Sequence, residues 1–309
     1  METSPDLRGL RVLAVHAHPD DESITMGGTL HALGQAGAEV TVVTCTLGEQ
    51  GEVIGETFQQ LIADEADQLG GFRIGELAQA LAELGVSGRF LGGAGRWRDS
   101  GMAGDPAHSH PRAFVSSGEE GVDALADTMA ELRPHLVLTY GPEGGYGHPD
   151  HIRAHEITLA AVRRLRESGT WDVQRILFSY VDEAAQDAGL AAIGQVPEGW
   201  RHAEPGELPS AIGMEVRVPL SAESFGAKVR AMKAHATQIW VADGDLSLTN
   251  PHRAVAVVNN DDACPAVWAL SNLIAQPILD HEDFRLGGGA PLPEGAHLPW
   301  DGLEWAHER

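Results

Sequence analysis

Apolar and polar positions in the first part of the chain alternate between two rhythms. Arg11–His16 (RVLAVH) and Glu39–Thr46 (EVTVVTCT) are β-branched apolar runs that predict strands. Between them Ser23–Gln35 has the composition and length of a helix, with Gly37 placed to end it. A longer helical stretch, Glu56–Leu84, is expected to break at Gly70-Gly71. Arg89–Leu91 reads as a short third strand, Val122–Leu132 as a helix, and His135–Tyr140 as a strand directly after Pro134. His151–Glu167 is a strong helical pattern, and strand Val173–Val181 follows it. Strands separated by helices in this way predict an α/β fold: a Rossmann-like, mostly parallel sheet with helices on both faces.

Past residue 185 the rhythm weakens. Gly, Pro and Trp crowd into PEGW, PGELPSAIG and LPEGAHLPWDG, leaving one strand candidate (Glu215–Leu220) and one clear helix (Ala222–Ala236). The expected organisation is a catalytic domain over residues 1–184 and a smaller, irregular α+β subdomain over 185–309 that completes the substrate pocket.

Composition narrows the functional classes. A chain of 309 residues with 43% apolar content can bury a substantial core. No apolar run is long enough to cross a bilayer, and METSPDLRGLR lacks the apolar stretch of a signal peptide, so a soluble, cytoplasmic protein is expected. A net charge of −24 argues against nucleic-acid partners, which require a basic surface to displace counterions. Cys45 and Cys264 have no CxxC spacing, and Cys45 lies in an apolar run, as a buried core thiol would. Nothing in the chain specifies an oligomeric state.

The candidate chemistry sits where two strands end. Strand one runs into Ala17-His18-Pro19-Asp20-Asp21-Glu22, and strand four into a glycine-rich turn and then His148-Pro149-Asp150-His151. In doubly wound sheets, ligands bind outside the carboxyl ends of strands where the strand order reverses, so both loops are expected side by side. Neutral imidazole and carboxylate are ordinary zinc ligands. His18 and Asp21 could face one ion across the turn stiffened by Pro19. Asp20 is then left beside the ion, where a carboxylate can take a proton from water. Taken singly, each loop is as easily a helix N-cap, through Asp20, Asp21 or Ser23 in the first and Asp150 in the second. Two such loops, each ending a parallel strand, make coincidence the weaker account.

AHPDDE after strand one with GHPDH after a later strand resembles the PIG-L (LmbE-like) family of zinc-dependent N-deacetylases acting on N-acetylglucosaminyl conjugates. The strings TCTLGEQGEVIGE, DQLGGFRIGEL, LGGAGRWRDSGMAG, GGYGHPDH, KAHATQ and ALSNLIAQPIL resemble the branch of that family that serves mycothiol biosynthesis. The resemblance covers most of the chain and is least over residues 105–120 and 184–210. It implies a small-molecule substrate, an N-acetylglucosaminyl-inositol pseudo-disaccharide, with no nucleic-acid or membrane partner. His18, Asp21 and His151 are implied to hold one zinc ion, in a donor set that ferrous iron also accepts. Asp20 is implied to be the general base. His148 is implied to stabilise the oxyanion or act as the acid, with Asp150 hydrogen-bonded to it, and Tyr146 to polarise the amide carbonyl. Arg73 and Asp99 are implied to contact sugar hydroxyls. Glu49-Gln50 stands where an acidic pair is expected, which leaves position 50 without a role.

Two other classes compete: a sibling amidase cleaving mycothiol S-conjugates, and a non-catalytic Rossmann-like binding module. The segment LGGAGRWRDSGMAG favours the deacetylase, and the complete set His18, Asp20, Asp21, His148 and His151 argues against a silent module. Gly92–Gly95 lacks the GxGxxG spacing of a dinucleotide site. His108 and His110 read as a solvated loop rather than a second metal pair, and Asp243-Gly244-Asp245 as a turn. Lys228, Lys233 and His235 read as a solvated helix face, with His235–Gln238 placed to border the pocket.

Overall fold

The computed structural model describes residues 5–250 and 252–306; Met1–Ser4, at the head of the segment read as lacking a leader, lie outside them. Strands β1 (Arg11–His16), β2 (Glu39–Thr44), β3 (Ser87–Phe90), β4 (Leu136–Tyr140) and β5 (Arg175–Tyr180) alternate with helices α1 (Asp21–Gln35), α2 (Leu69–Leu84), α3 (Gly118–Leu132), α4 (Gly144–Gly147) and α5 (Pro149–Ser168). The chain continues through α6 (Glu183–Ala192), β6 (Ile193–Gln195), β7 (Arg201–His202), β8 (Val216–Pro219) and α7 (Ala222–Ala234). It ends with β9 (Trp240–Val241), β10 (Val257–Val258), β11 (Ala266–Ala269), β12 (Ile274–Ile278) and β13 (His281–Gly289).

A seven-stranded sheet of order β3-β2-β1-β4-β5-β13-β8 forms the centre. Its first five strands are parallel, and β13 runs antiparallel to both β5 and β8. The α/β fold with a mostly parallel, helix-covered sheet is therefore present. One face packs Met26, Leu30 and Leu33 of α1, Leu77 and Leu84 of α2 and Ala231 of α7. The other packs Leu125 and Met129 of α3 and Ala154, Ile157, Ala161 and Leu165 of α5. Those α5 positions are one stripe at helical spacing, and His151 lies on the same stripe one turn earlier. The apolar face that anchors α5 thus also aims His151 over the sheet edge.

Residues after 185 divide differently from the expected split at 184. Strands β8 and β13 and helix α7 return to the central sheet layer. A separate four-stranded sheet, β7-β12-β11-β9, and the pair β10-β6 form an appended unit.

The expected helix over 56–84 is also shorter. It begins at Leu69 and runs straight through Gly70-Gly71, while 56–68 is irregular apart from a short turn at Gln59–Leu61. Gly70 is a close-approach residue rather than a breaker: a Cβ there would lie 2.6 Å from Glu49 Cγ and 2.9 Å from Leu47 Cβ. Cys45 is buried as expected, and so is Cys264.

Candidate active site

The strand order reverses between β1 and β4, which pair directly (Val12 with Leu136, Ala14 with Leu138). Their carboxyl ends release the two His-Pro-Asp loops side by side. Tyr140, the last residue of β4, locks the first loop: Ala17 N–H donates to its hydroxyl (2.8 Å), and that hydroxyl donates to Asp21 Oδ2 (2.6 Å). The same oxygen accepts the His18 N–H at 2.9 Å. Tyr140 also stacks on His151, ring centroids 4.2 Å apart. Sequence reasoning passed over Tyr140 because it reads as one more apolar strand position.

His18, Asp21 and His151 converge. His18 Nδ1 lies 3.2 Å from His151 Nε2 and 3.4 Å from Asp21 Oδ2, and His151 Nε2 lies 3.3 Å from Asp21 Oδ1. The remaining partners assign the tautomers. His18 Nε2 faces Asp150 Oδ2 at 3.3 Å and Asp99 Oδ1 at 3.6 Å, so it carries hydrogen. His151 Nδ1 faces the Gly144 carbonyl at 3.2 Å and carries hydrogen too. That leaves two imidazole lone pairs and a carboxylate pointing at one another with no donor among them, a contact that only a proton or a cation relieves. Metal–N bonds of about 2.0–2.1 Å place neighbouring ligand atoms of a tetrahedral site about 3.3–3.4 Å apart, close to the His18–His151 separation, while Asp21 meets the two imidazoles through different carboxylate oxygens. Positive charge is favoured here: burial works against it, but Asp99, Asp150 and Asp21 hold the His18 pKa well above the ordinary imidazole value. His148, stacked 5.0 Å from His151, supplies an alternative nitrogen for such a cluster.

Asp20 stands next to these groups. It occupies the N-cap position of α1 but makes no side-chain cap bond, and its φ is 119°, a strained conformation for a residue with a Cβ. Three contacts hold it there. Arg73 Nη2 meets the Asp20 carboxylate at 2.9 Å and also donates to the Pro19 carbonyl, while the Asp20 N–H donates to Glu22 Oε2 at 3.0 Å. Burial lifts the Asp20 carboxyl to about 7 against the opposing pull of Arg73. A carboxylate tuned near neutrality suits a general base.

In the second loop Asp150 is hydrogen-bonded to His148 as expected, through its backbone rather than its carboxylate. The Asp150 carboxylate meets His18 Nε2 and accepts the Ser100 N–H at 2.9 Å. The Asp150 backbone N–H donates to His148 Nδ1 at 3.1 Å, so His148 is itself the N-cap of α5 and presents Nε2–H outward. Burial, with His18 and His151 nearby, lowers the His148 pKa to about 3. Tyr146, over half exposed, stands edge-on to His148 and His151 at 5.9 and 5.2 Å between ring centroids.

Arg73 lines the cavity that these groups share. It is 2% exposed, and its guanidinium holds Gly48 O, Pro19 O and Asp20. Asp99 accepts from the Gln50 and Gly101 N–H groups, so position 50 contributes its backbone to the site. The solvated-face reading of α7 fails for two of its three residues. Lys228 is buried in an ion pair with Glu282 (2.6 Å), and His235 is fully buried against Glu22 Oε1 (2.7 Å). Lys233 alone is on the surface, bridging Asp243 and Asp245.

The site opens into a cavity of 830 Å³, inside the range of small-molecule sites. Its lining includes His18, Asp20, Asp21, Asp99, Tyr146 and His151 together with Trp268, Ile274 and Ile278 of the appended sheet.

The family described as PIG-L: GlcNAc-PI de-N-acetylase matches residues 13–162. A Corynebacterium efficiens protein named 1D-myo-inositol 2-acetamido-2-deoxy-alpha-D-glucopyranoside deacetylase is 58% identical over 300 residues, covering 97% of this chain and 95% of that one. A Rhodococcus erythropolis protein of the same name is 47% identical, over 92% of this chain and 93% of that one. A solved deacetylase triple mutant from the teicoplanin biosynthetic pathway superposes with a TM-score of 0.50 at 20% identity, covering 91% of this chain and 100% of that one. At that identity the likeness is one of fold.

Proposed function

The chain belongs to the PIG-L, GlcNAc-PI de-N-acetylase, family, and from that premise we propose that it hydrolyses the acetamide of 1D-myo-inositol 2-acetamido-2-deoxy-α-D-glucopyranoside to the free amine and acetate. The observation that carries the reading is the meeting of three acceptor groups, His18, Asp21 and His151, beside the strained carboxylate of Asp20 at the floor of a polyol-sized cavity. The donor set, two imidazoles and a carboxylate, suits zinc with an open position.

His18, Asp21 and His151 would hold the ion. When bound, it lowers the pKa of water and polarises a carbonyl as a Lewis acid. Asp20 accepts the proton of the water that attacks the acetamide carbon, and later delivers it to the departing nitrogen, so that amine and acetate leave in balance. Arg73 keeps the Asp20 carboxylate facing the site. His148 serves as a neutral Nε2–H donor to the developing oxyanion. A second proton on Nδ1 would cost it the Asp150 N–H bond, which favours the oxyanion role over that of a charged acid. Tyr146, which lines the cavity and is over half exposed, would donate to the same oxygen. Asp99, lining the cavity, would accept from a sugar hydroxyl.

The substrate assignment is tested by comparing kcat/KM for the acetylated pseudo-disaccharide with that for a mycothiol S-conjugate. The deacetylase reading expects the acetylated sugar to be the better substrate. Faster cleavage of the conjugate would make the protein the sibling amidase.

A further inference from the structure

Glu22 and His235 have no part in the chemistry above, yet both are fully buried directly behind Asp20. Glu22 Oε2 accepts the Asp20 N–H (3.0 Å), and Oε1 accepts from the Ser23 hydroxyl (2.6 Å) and faces His235 Nε2 (2.7 Å). His235 closes the carboxyl end of α7, so the contact joins residues 213 apart in sequence. The next turn fastens the other neighbour of Asp20: the Thr237 N–H and hydroxyl both donate to Glu76 (2.8 Å each) on α2, three residues after Arg73.

We infer that His235, acting through Glu22, is a positioning residue for Asp20, holding the base in its positive-φ conformation and setting its aim. A strained backbone conformation persists only where its surroundings over-determine it, and the side chains that fix Asp20 are Arg73 on the carboxylate and Glu22 on the N–H. Glu22 in turn has its rotamer fixed by His235 from behind. The inference rests on Asp20 being the base.

The test compares His235→Leu, which removes the donor, with His235→Gln, which can still donate to Glu22, each as metal-loaded full-length protein. Metal content, thermal midpoint, kcat and KM are measured for both. The Leu variant is expected to bind a full complement of metal and keep KM within about twofold, while kcat falls about 10²-fold, the cost of a base displaced by about an ångström. The Gln variant should recover most of that loss. In a crystal of the Leu variant, Asp20 should have left its positive φ or parted from Arg73. Equal kcat losses in both variants, or a Leu variant with kcat within twofold of wild type, would overturn the inference. Where the Leu variant does not fold, Glu22→Gln takes its place, with loss of kcat at constant KM again the supporting result. An Asp20→Ala background separates the two readings. If Asp20→Ala falls to a small but measurable residual kcat and His235→Leu lowers it no further, both stand. If His235→Leu still lowers that residual kcat by its full factor, the positioning role fails alone. A fully active Asp20→Ala protein defeats the base assignment itself.

Discussion

At the scale of single residues, the site separates holding groups from acting ones. In the proposed mechanism Asp20 is the acting group, so Asp20→Asn should keep its metal and lose about 10²–10⁴-fold in kcat, checked by metal analysis beside steady-state rates. Asp150 holds: its carboxylate meets His18 Nε2, and orienting partners of metal-binding histidines are commonly worth about 10–100-fold in metal affinity. Asp150→Asn should therefore weaken metal binding by that factor in a competition titration while kcat at saturating metal changes little. Unchanged affinity with a collapsed kcat would instead return Asp150 to the service of His148. The ligand types were legible in the sequence because His-Pro-Asp is a local spelling at a strand end. The partners Tyr140, Glu22 and His235 were not, since each is recognisable only once distant elements meet. His235 in particular sits in a helix whose lysines suggested solvent.

At the scale of elements, the parallel half and the edge strand β8 were readable and the antiparallel strand β13 between them was not. Strands β1, β2, β4 and β5 are short runs rich in apolar residues, and helices α3 and α5 carry apolar stripes. Strand β13, HEDFRLGGG, has almost no such signal; its fit comes from tertiary contact, as where a Cβ on Gly287 would lie 2.4 Å from the Phe178 ring. The glycine pair in α2 makes the same point testable. Gly70→Ala should destabilise by about 1–3 kcal/mol despite alanine's better helix propensity, because the new methyl collides with Leu47 and Glu49. At Gly71 nothing lies within 4 Å, so Gly71→Ala should stabilise by about 0.4–1 kcal/mol. Urea unfolding of the two variants checks both signs, and identical shifts would discredit the close-approach account of Gly70.

At the scale of the whole molecule, the C-terminal third closes the catalytic sheet as well as roofing the cavity. Glu282 on β13 is the main tie. It accepts the Gly28 and Thr29 N–H groups where α1 kinks at Met26, and it neutralises buried Lys228 of α7. Glu282→Ala leaves that ammonium uncompensated and should cost about 3–5 kcal/mol of unfolding free energy by denaturant titration; a loss under about 1 kcal/mol would mean the pair ties nothing. Among the described residues no helix is long and apolar enough to cross a membrane. In the proposed reaction a cation held by His18, Asp21 and His151 and a proton taken by Asp20 together cleave an N-acetyl group. The direct measurement is acetate release from the N-acetylglucosaminyl-inositol pseudo-disaccharide by native, chelator-stripped and zinc-restored protein. The account predicts acetate and free amine in equal amounts from the native and restored samples and none from the stripped one. Undiminished release after complete removal of metal, or no release from the metal-loaded protein, would contradict it.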